Sequence, residues 1–355
     1  MRFKPFSEWG LPLSDRGLML IAGPCAAESE AQVLATAQGV KACGVSLFRA
    51  GVWKPRTRPG TFEGFGEKAF EWLVKARSET GLRFAVEIAN GRHVKAALEH
   101  GVDVLWIGAR TTVTPFAVQE IADALRGMDI PVLVKNPVNP DIELWTGAIE
   151  RLANAGLTRL AAVLRGVSGL EAGHYRNAPD WPLALELKQR FPTLPFICDP
   201  SHIAGDTKYI RDVSQQALNL DFEGLMIETH FDPENAMSDK RQQLTPQQLR
   251  ELLAELVVKS HDDTASEGVQ KALAAARCEI DQADMTLLAT LARRMEMSRR
   301  IGELKKSANL TVLQSSRWEQ VLGRAIENGR RIGLSEEVVR DIFNRIHIES
   351  ITQQQ

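Results

Sequence analysis

Eight short apolar runs, most of them rich in β-branched residues, recur along the first two thirds of the chain, each separated from the next by a helix-length amphipathic segment. They occupy 18–22, 45–49, 83–88, 102–107, 131–135, 160–164, 195–198 and 225–227. Parallel strands are buried on both faces and so read as continuous apolar runs, and each crossover between them needs a connection of helix length. Eight such units in about 250 residues match a (β/α)8 barrel, an α/β architecture. A doubly wound sheet is the alternative, but it rarely contains eight units this regular.

The punctuation of the chain changes sharply after this region. All 16 prolines lie at or before Pro246, and the remaining 109 residues have none. The stretch KSHDDTASEG, 259–268, is small and polar as linkers are. From Gln270 onward there are 14 Lys+Arg against 11 Asp+Glu, a local +3 that leaves −5 for the first 269 residues. The expected organisation is therefore a barrel over 1–258, a linker over 259–268 and a small all-α unit over 269–355. Its helices are expected at about 269–306, 317–328 and 335–352, with Gly333 and Ser335 as stop and N-cap between the last two. A first helix of that length spans roughly 55 Å, more than two shorter helices can cover, so a second chain is expected beside it.

Composition narrows the function classes. With 44% hydrophobic and 25% charged residues the chain is an ordinary globular one, and a net charge of −2 gives no electrostatic case for nucleic acid or membrane. No run of about 18 apolar residues occurs, and the N-terminus lacks the apolar stretch of a signal peptide, so a cytoplasmic location is expected. About 17 residues precede the first run, too few for an independent domain. Four cysteines without CxxC spacing argue against a disulfide framework or a zinc ribbon.

In a parallel barrel the C-terminal strand ends open on one face, where the polar residues that follow the runs should gather. Two chemistries separate there. Cys25, His202, Glu228 and Asp239 offer a thiolate, an imidazole and two carboxylates, a mixed donor set for a borderline divalent ion such as Mn, Fe, Co or Zn. Arg49, Lys54, Arg56, Arg110, Lys135 and Arg165 are six cations on the same face, which implies a polyanionic substrate, with two phosphates the simplest case. An isolated cysteine after a strand is ordinarily a small buried side chain, and Cys43, Cys198 and Cys278 keep that reading. Asp199, Ser201 and His202 have the residue types of a hydrolase triad, but neighbours in one strand-loop rarely face one another.

The motifs GPCAAES, FRAGVWKPRT, IGART, VLVKN, VLRG, CDPSH and IETH followed by SDKRQQLTP, in order and each at a strand end, resemble 3-deoxy-D-arabino-heptulosonate 7-phosphate (DAHP) synthase of the compact type I beta kind, from Gly17 to Val258. The resemblance implies metal ligands at Cys25, His202, Glu228 and Asp239. It implies a phosphoenolpyruvate site at Arg49, Lys54, Arg110, Lys135 and Arg165, and an erythrose 4-phosphate site at Arg56, Thr57 and Asp199. The sibling octulosonate 8-phosphate synthase shares the barrel and the phosphoenolpyruvate chemistry, but carries a KANRS-like stretch where this chain reads Lys54-Pro55-Arg56-Thr57. The family often has a small residue after KPRT; here Arg58 follows.

Cation spacing in the tail carries a second resemblance. Arg294 and Lys305 are eleven residues apart, three turns and about 20° off, and so share a helix face. Arg277 lies about 25 Å further along the axis and is turned by roughly 100°, out of reach of a small dianion held by the other two. With Arg317 and the ending Glu349-Ser350-Ile351-Thr352-Gln353-Gln354, the tail resembles the all-helical chorismate mutases over Ala272 to Gln354. The implied site is Arg294, Lys305, Arg317, Ser350 and Gln354, with Arg277 supplied by the partner chain of a homodimer. Gln314 stands where that family often has Asp, and Trp318 where it usually has Glu.

Together the two resemblances imply a bifunctional, metal-dependent enzyme of aromatic biosynthesis, Mn2+ being the expected ion. Its ligands would be phosphoenolpyruvate, erythrose 4-phosphate, chorismate and prephenate, with prephenate feedback acting through the mutase unit. The alternatives are a DAHP synthase whose tail only senses a ligand and dimerises, and the octulosonate 8-phosphate synthase.

Overall fold

A computed structural model of the chain describes residues 1–54, 60–168, 172–259, 266–311 and 315–354. Two compact units result, Met1–Lys259 and Ser260–Gln355. In the first, β1 (Met19–Gly23), β2 (Leu47–Arg49), β3 (Phe84–Ile88), β4 (Val104–Ile107), β5 (Val132–Lys135), β6 (Leu160–Leu164), β7 (Phe196–Cys198) and β8 (Gly224–Glu228) close into a parallel barrel in sequence order. Closure is by β1 against β8, in register from Met19 opposite Gly224 to Gly23 opposite Glu228. Around it run α1 (Glu30–Lys41), α2 (Lys68–Thr80), α3 (Gly91–Glu99), α4 (Ala109–Thr112), α5 (Pro115–Ala124), α6 (Ile142–Asn154), α7 (Trp181–Arg190), α8 (Pro200–Ala204), α9 (Ile210–Asn219) and α10 (Pro246–Glu255). Every one of the eight apolar runs holds one strand, so the (β/α)8 expectation is met and the doubly wound alternative is excluded.

The alternation of side chains along a strand divides the core. Met19, Ile21, Leu47, Val104, Leu133 and Met226 point into the barrel, while Leu20, Phe48, Val86, Leu105, Val132 and Leu225 pack outward against the helices. Local chemistry fixes the helix starts. Ser29, Asn90, Asp141 and Asp199 each accept a hydrogen bond from a backbone N–H in the first turn of α1, α3, α6 and α8, and Thr245 opens α10 with a capping box closed by Gln248. Proline at the first turn of α5, α7, α8 and α10 costs no hydrogen bond there.

The residues before β1 make no domain, and they are not idle. Phe6, Trp9 and Leu11 are buried against the inward-pointing strand residues and close the N-terminal end of the barrel, the Phe6 and Trp9 rings meeting edge to face at 4.9 Å. At the opposite end, Gly23 brings β1 so close to β2 that a Cβ there would stand 2.1 Å from the Arg49 carbonyl oxygen. That end carries the site.

The second unit is three helices, α11 (Glu267–Ser307), α12 (Ser315–Arg331) and α13 (Glu336–Thr352), the last opened by Ser335, whose side chain accepts from Val338 N. Gly302 lets α11 meet the C-terminal turn: a Cβ there would lie 2.7 Å from Gln354 Cα. Among the described residues few large apolar side chains of this unit are buried, Val339 being one, and Ile280, Leu287, Leu288, Ile301 and Leu304 of α11 are exposed. Cys278 is exposed too, unlike the buried Cys198, because it falls on an open face of α11. No helix among the described residues is long and apolar enough to cross a membrane.

Candidate active sites

The C-terminal end of the barrel is floored by Trp106, a fully buried β4 residue whose ring faces two cations. The Arg49 guanidinium lies 5.0 Å and the Lys135 ammonium 5.8 Å from its centroid, and its Nε1 donates to Glu87 Oε2 at 3.1 Å. Arg49 is not part of an open cationic face as the strand-end reading expects. It is buried, with Nη2 3.1 Å from Glu228 Oε1. Burial alone would depress its pKa, but Glu228 and Asp199 outweigh it and hold the group firmly charged.

Above this floor the donor atoms of Cys25, Glu228 and Asp239 lie within 4.8 Å of one another. Cys25 Sγ is 3.2 Å from Asp239 Oδ2. His202 joins them through Nε2, 3.7 Å from Glu228 Oε1, while its Nδ1 is 2.9 Å from Asp199 Oδ1. Asp199 also accepts from Lys135 Nζ at 2.7 Å, so the buried carboxylate orients an imidazole and an ammonium at once. Asp199 and His202 therefore do face each other, against the expectation for neighbours, because Asp199 caps α8 and His202 is one turn along. Ser201 is turned away, its Oγ accepting from Glu228 N at 2.9 Å, so no triad forms.

The electrostatics fit a divalent ion. Burial, then Glu228 and Asp239, push the Cys25 thiol up to about 12, a thiolate next to two carboxylates being unfavourable without a cation. Glu228 Oε1 is buried with no hydrogen bond, only its ion pair with Arg49. Burial pushes the His202 pKa down, favouring the neutral imidazole that ligates metals. Lys54 and Arg49 only partly offset the effects that keep the thiol protonated; a bound ion would add positive charge among the donors, and a coordinating thiol is deprotonated outright.

Beside this cluster is a polar cavity of about 240 Å³ walled by Arg110, Lys135, Arg165, Arg176, Glu87 and His202. Burial lowers the Arg165 pKa to about 10, still charged at neutral pH. Lys54 does not line this cavity; it lies against Cys25. Arg56 and Thr57, with Arg58, lie outside the described residues, as does Gln314. Sequence reasoning missed Trp106, Glu87, Arg176 and Gln242. Glu87 leaves a signal: a Cβ on Gly108 would stand 2.0 Å from its Oε1, and both lie at strand ends.

In the helical unit α13 and the turn after it bring four of the expected residues together in two pairs. Arg294 bonds the hydroxyl of Ser350, and Lys305 Nζ donates to Gln354 Oε1 at 3.2 Å. Arg277 and Arg317 are exposed. Trp318 stacks on His347 at 4.0 Å with 8° between the rings.

The DAHP synthetase I family matches residues 14–264. The chain belongs to that family. Residues 276–355 match chorismate mutase type II. A phospho-2-dehydro-3-deoxyheptonate aldolase of Thermotoga maritima is 32% identical over 67% of this chain and 68% of its own. A 2-dehydro-3-deoxyphosphooctonate aldolase of Desulfotalea psychrophila is 28% identical over 69% of this chain and 90% of its own. The crystal structure of a phospho-2-dehydro-3-deoxyheptonate aldolase (DAHP synthase) from Thermotoga maritima superposes with a TM-score of 0.61 at 30% identity, covering 67% of this chain and 68% of that one. The chain is thus a DAHP synthase barrel fused to a chorismate mutase domain, a bifunctional enzyme of aromatic biosynthesis with a possible metal site in the barrel.

Proposed function

We propose that residues 1–258 condense phosphoenolpyruvate with erythrose 4-phosphate to DAHP and phosphate, and that residues 269–355, joined through 259–268, rearrange chorismate to prephenate. The observation that carries the first reading is the convergence of Cys25, Glu228 and Asp239 within 4.8 Å beside a cavity walled by cations.

In this reading Cys25, His202, Glu228 and Asp239 hold a divalent ion, Mn2+ being the expected species and Fe, Co or Zn compatible with the same donors. The ion supplies Lewis-acid polarisation of the aldehyde when bound. Arg110, Lys135 and Arg165 grip phosphoenolpyruvate in the cavity, with Arg49, paired with Glu228, and Lys54, against Cys25, completing its site beside the metal ligands. Arg56 and Thr57 hold the sugar phosphate, and Asp199 orients His202 and Lys135 around it. Held in line, the methylene carbon of phosphoenolpyruvate bonds to the aldehyde carbon, water adds at the former enol carbon, and phosphate leaves.

The mutase reaction needs no nucleophile. Arg294, Arg317 and the partner chain's copy of the Arg277 side chain fold the dianion, Ser350 supports Arg294, and Lys305 with Gln354 stabilises the ether oxygen. The exposed apolar residues of α11 support a homodimer that completes this site. Prephenate would act back on the barrel through the same unit. The whole is compatible with a cytoplasmic enzyme. Assaying the purified chain with phosphoenolpyruvate plus erythrose 4-phosphate, and separately with chorismate, tests both halves: no phosphate release in the first refutes the barrel reading, and no prephenate in the second refutes the mutase reading.

A further inference from the structure

Each carboxylate of the metal cluster has two oxygens, and one that ligates through a single oxygen leaves the other outside the coordination shell. The other must be satisfied elsewhere or remain a buried, unpaired acceptor. In this chain both spare oxygens lead to one side chain. Arg176 Nη1 donates to Asp239 Oδ1 at 2.9 Å and to Gln242 Oε1 at 2.6 Å. Gln242, itself buried, donates from Nε2 to Glu228 Oε2 at 2.7 Å. What remains is Asp239 Oδ2, which points at the Cys25 sulfur, and Glu228 Oε1, which has no hydrogen bond, is ion-paired with Arg49 Nη2 at 3.1 Å and lies 3.7 Å from His202 Nε2.

Arg176 is held in place by backbone, not chance. Its N–H donates to Ile203 O at 3.0 Å, and it lies over the left-handed end of α8, where a Cβ on Gly205 would stand 2.4 Å from its own Cβ. Its neighbour Asn177 donates to the His202 carbonyl at 2.6 Å, so the segment that carries the guanidinium also fixes the strand-loop of the imidazole ligand. On its other side Arg176 walls the cavity with Arg110, Lys135 and Arg165.

We infer that Arg176 is a positioning residue which, directly on Asp239 and through Gln242 on Glu228, selects the single oxygen of each carboxylate that faces the metal ion. The inference rests on the metal site proposed above. Groups that hold the far side of a ligand tune affinity by tenfold to a hundredfold, about the range to be looked for here. Both bonds leave the single nitrogen Nη1 at the end of a planar guanidinium, so a lysine would have to bring a shorter, flexible ammonium to the same two acceptors and should hold them less firmly.

The test is made on the full chain with Mn2+ titrated by electron paramagnetic resonance, and with Co2+ monitored through its thiolate charge-transfer absorption. Arg176→Ala and Gln242→Ala should each weaken Mn2+ binding by about tenfold or more, and the double variant should lose less than the two separate effects combined, because both act along one network. Arg176→Lys should also be weakened. In each, the Cys25–Co2+ band should persist with altered intensity, and metal-free unfolding midpoints should stay near wild type. Wild-type Mn2+ affinity in Arg176→Ala, with only the Michaelis constant for phosphoenolpyruvate raised, would make Arg176 a substrate cation and overturn the inference. If Arg176→Ala does not fold, wild-type affinity in both Arg176→Lys and Gln242→Ala overturns it equally. Failure of the metal reading itself looks different: the unaltered chain would bind no stoichiometric Mn2+ and give no charge-transfer band.

Discussion

The ammonium nitrogen of Lys54 lies 2.9 Å from the sulfur of Cys25 and 3.1 Å from the carbonyl oxygen of the same residue. This contact ties the loop after β2 to the loop after β1 and sets a compact cation against a thiol raised to about 12 by burial and by Glu228. A lysine here favours the thiolate, as a neighbouring cation does generally, without filling the space among the other donors. In the proposed reading, the lysine that opens the KPRT stretch would therefore favour Cys25 as a thiolate ligand.

Metal dependence follows for one activity and not the other. Excess chelator should abolish DAHP formation while chorismate turnover persists, since all four proposed ligands belong to the barrel. Cys25→Ala should not regain full synthase activity with added Mn2+. Full synthase activity in excess chelator, measured as phosphate release, would refute the assignment.

Arg56→Ala should chiefly impair use of erythrose 4-phosphate. Loss of one charge-assisted phosphate contact costs roughly 2 kcal/mol, or about thirtyfold. Steady-state kinetics in both substrates distinguish the cases, and an effect confined to the phosphoenolpyruvate Michaelis constant counts against the role.

What was legible in the sequence was what local rules write there. Strands buried on both faces leave apolar runs, and a parallel barrel sends their polar successors to one end, so strand position gathered Cys25, His202 and Glu228, while Asp239, further past β8, was legible from the SDKRQQLTP motif. Arg176 and Gln242 were not, because neither follows a strand directly. Arg176 is twelve residues past Leu164 and reaches the site only through the end of α8. Trp106 read as one more apolar strand residue; its role as a floor under Arg49 and Lys135 depends on which way β4 faces. The burial of Arg49 was not legible, since a cation at a strand end carries no sign of whether it meets solvent or Glu228.

The His347 imidazole, stacked on Trp318, should stay neutral at pH 7. Burial and the Arg294 charge lower its pKa from the ordinary 6.5. With the folded value depressed, its contribution to stability is present above the unfolded value and declines as pH falls below it. A protonated imidazole should quench the indole it stacks on, so the fluorescence difference between the wild-type chain and His347→Phe should titrate with a midpoint below 6.5. A midpoint at or above that value would mean that the indole face stabilises the cation more than Arg294 opposes it.

Arg277 is about 25 Å along α11 from Arg294, so one chain cannot place both on a small dianion. Mixing inactive Arg277→Ala and inactive Lys305→Ala chains should restore part of the mutase activity, because some mixed dimers would hold one site with neither substitution. No recovery after demonstrated subunit exchange rules out a shared site.

Control of the barrel by the mutase unit makes the last prediction. A ligand inhibits at a distance only if it binds one state of the chain better than another, and a tenfold effect requires about 1.4 kcal/mol of such preference. The described cations suited to an anionic effector in the helical unit are Arg294, paired with Ser350, and Lys305, paired with Gln354. An incoming dianion held by both cations would also meet Ser350 and Gln354, and so would act on the C-terminal turn packed against Gly302 of α11. Prephenate should therefore inhibit DAHP formation by the full chain while phenylalanine and tyrosine do little. Arg294→Ala should remove that inhibition without changing the uninhibited synthase rate, since the residue lies outside the barrel unit. Unchanged prephenate inhibition in Arg294→Ala and in Lys305→Ala would place the regulatory site elsewhere, whereas loss of inhibition together with loss of chorismate turnover would mean that one site serves both roles.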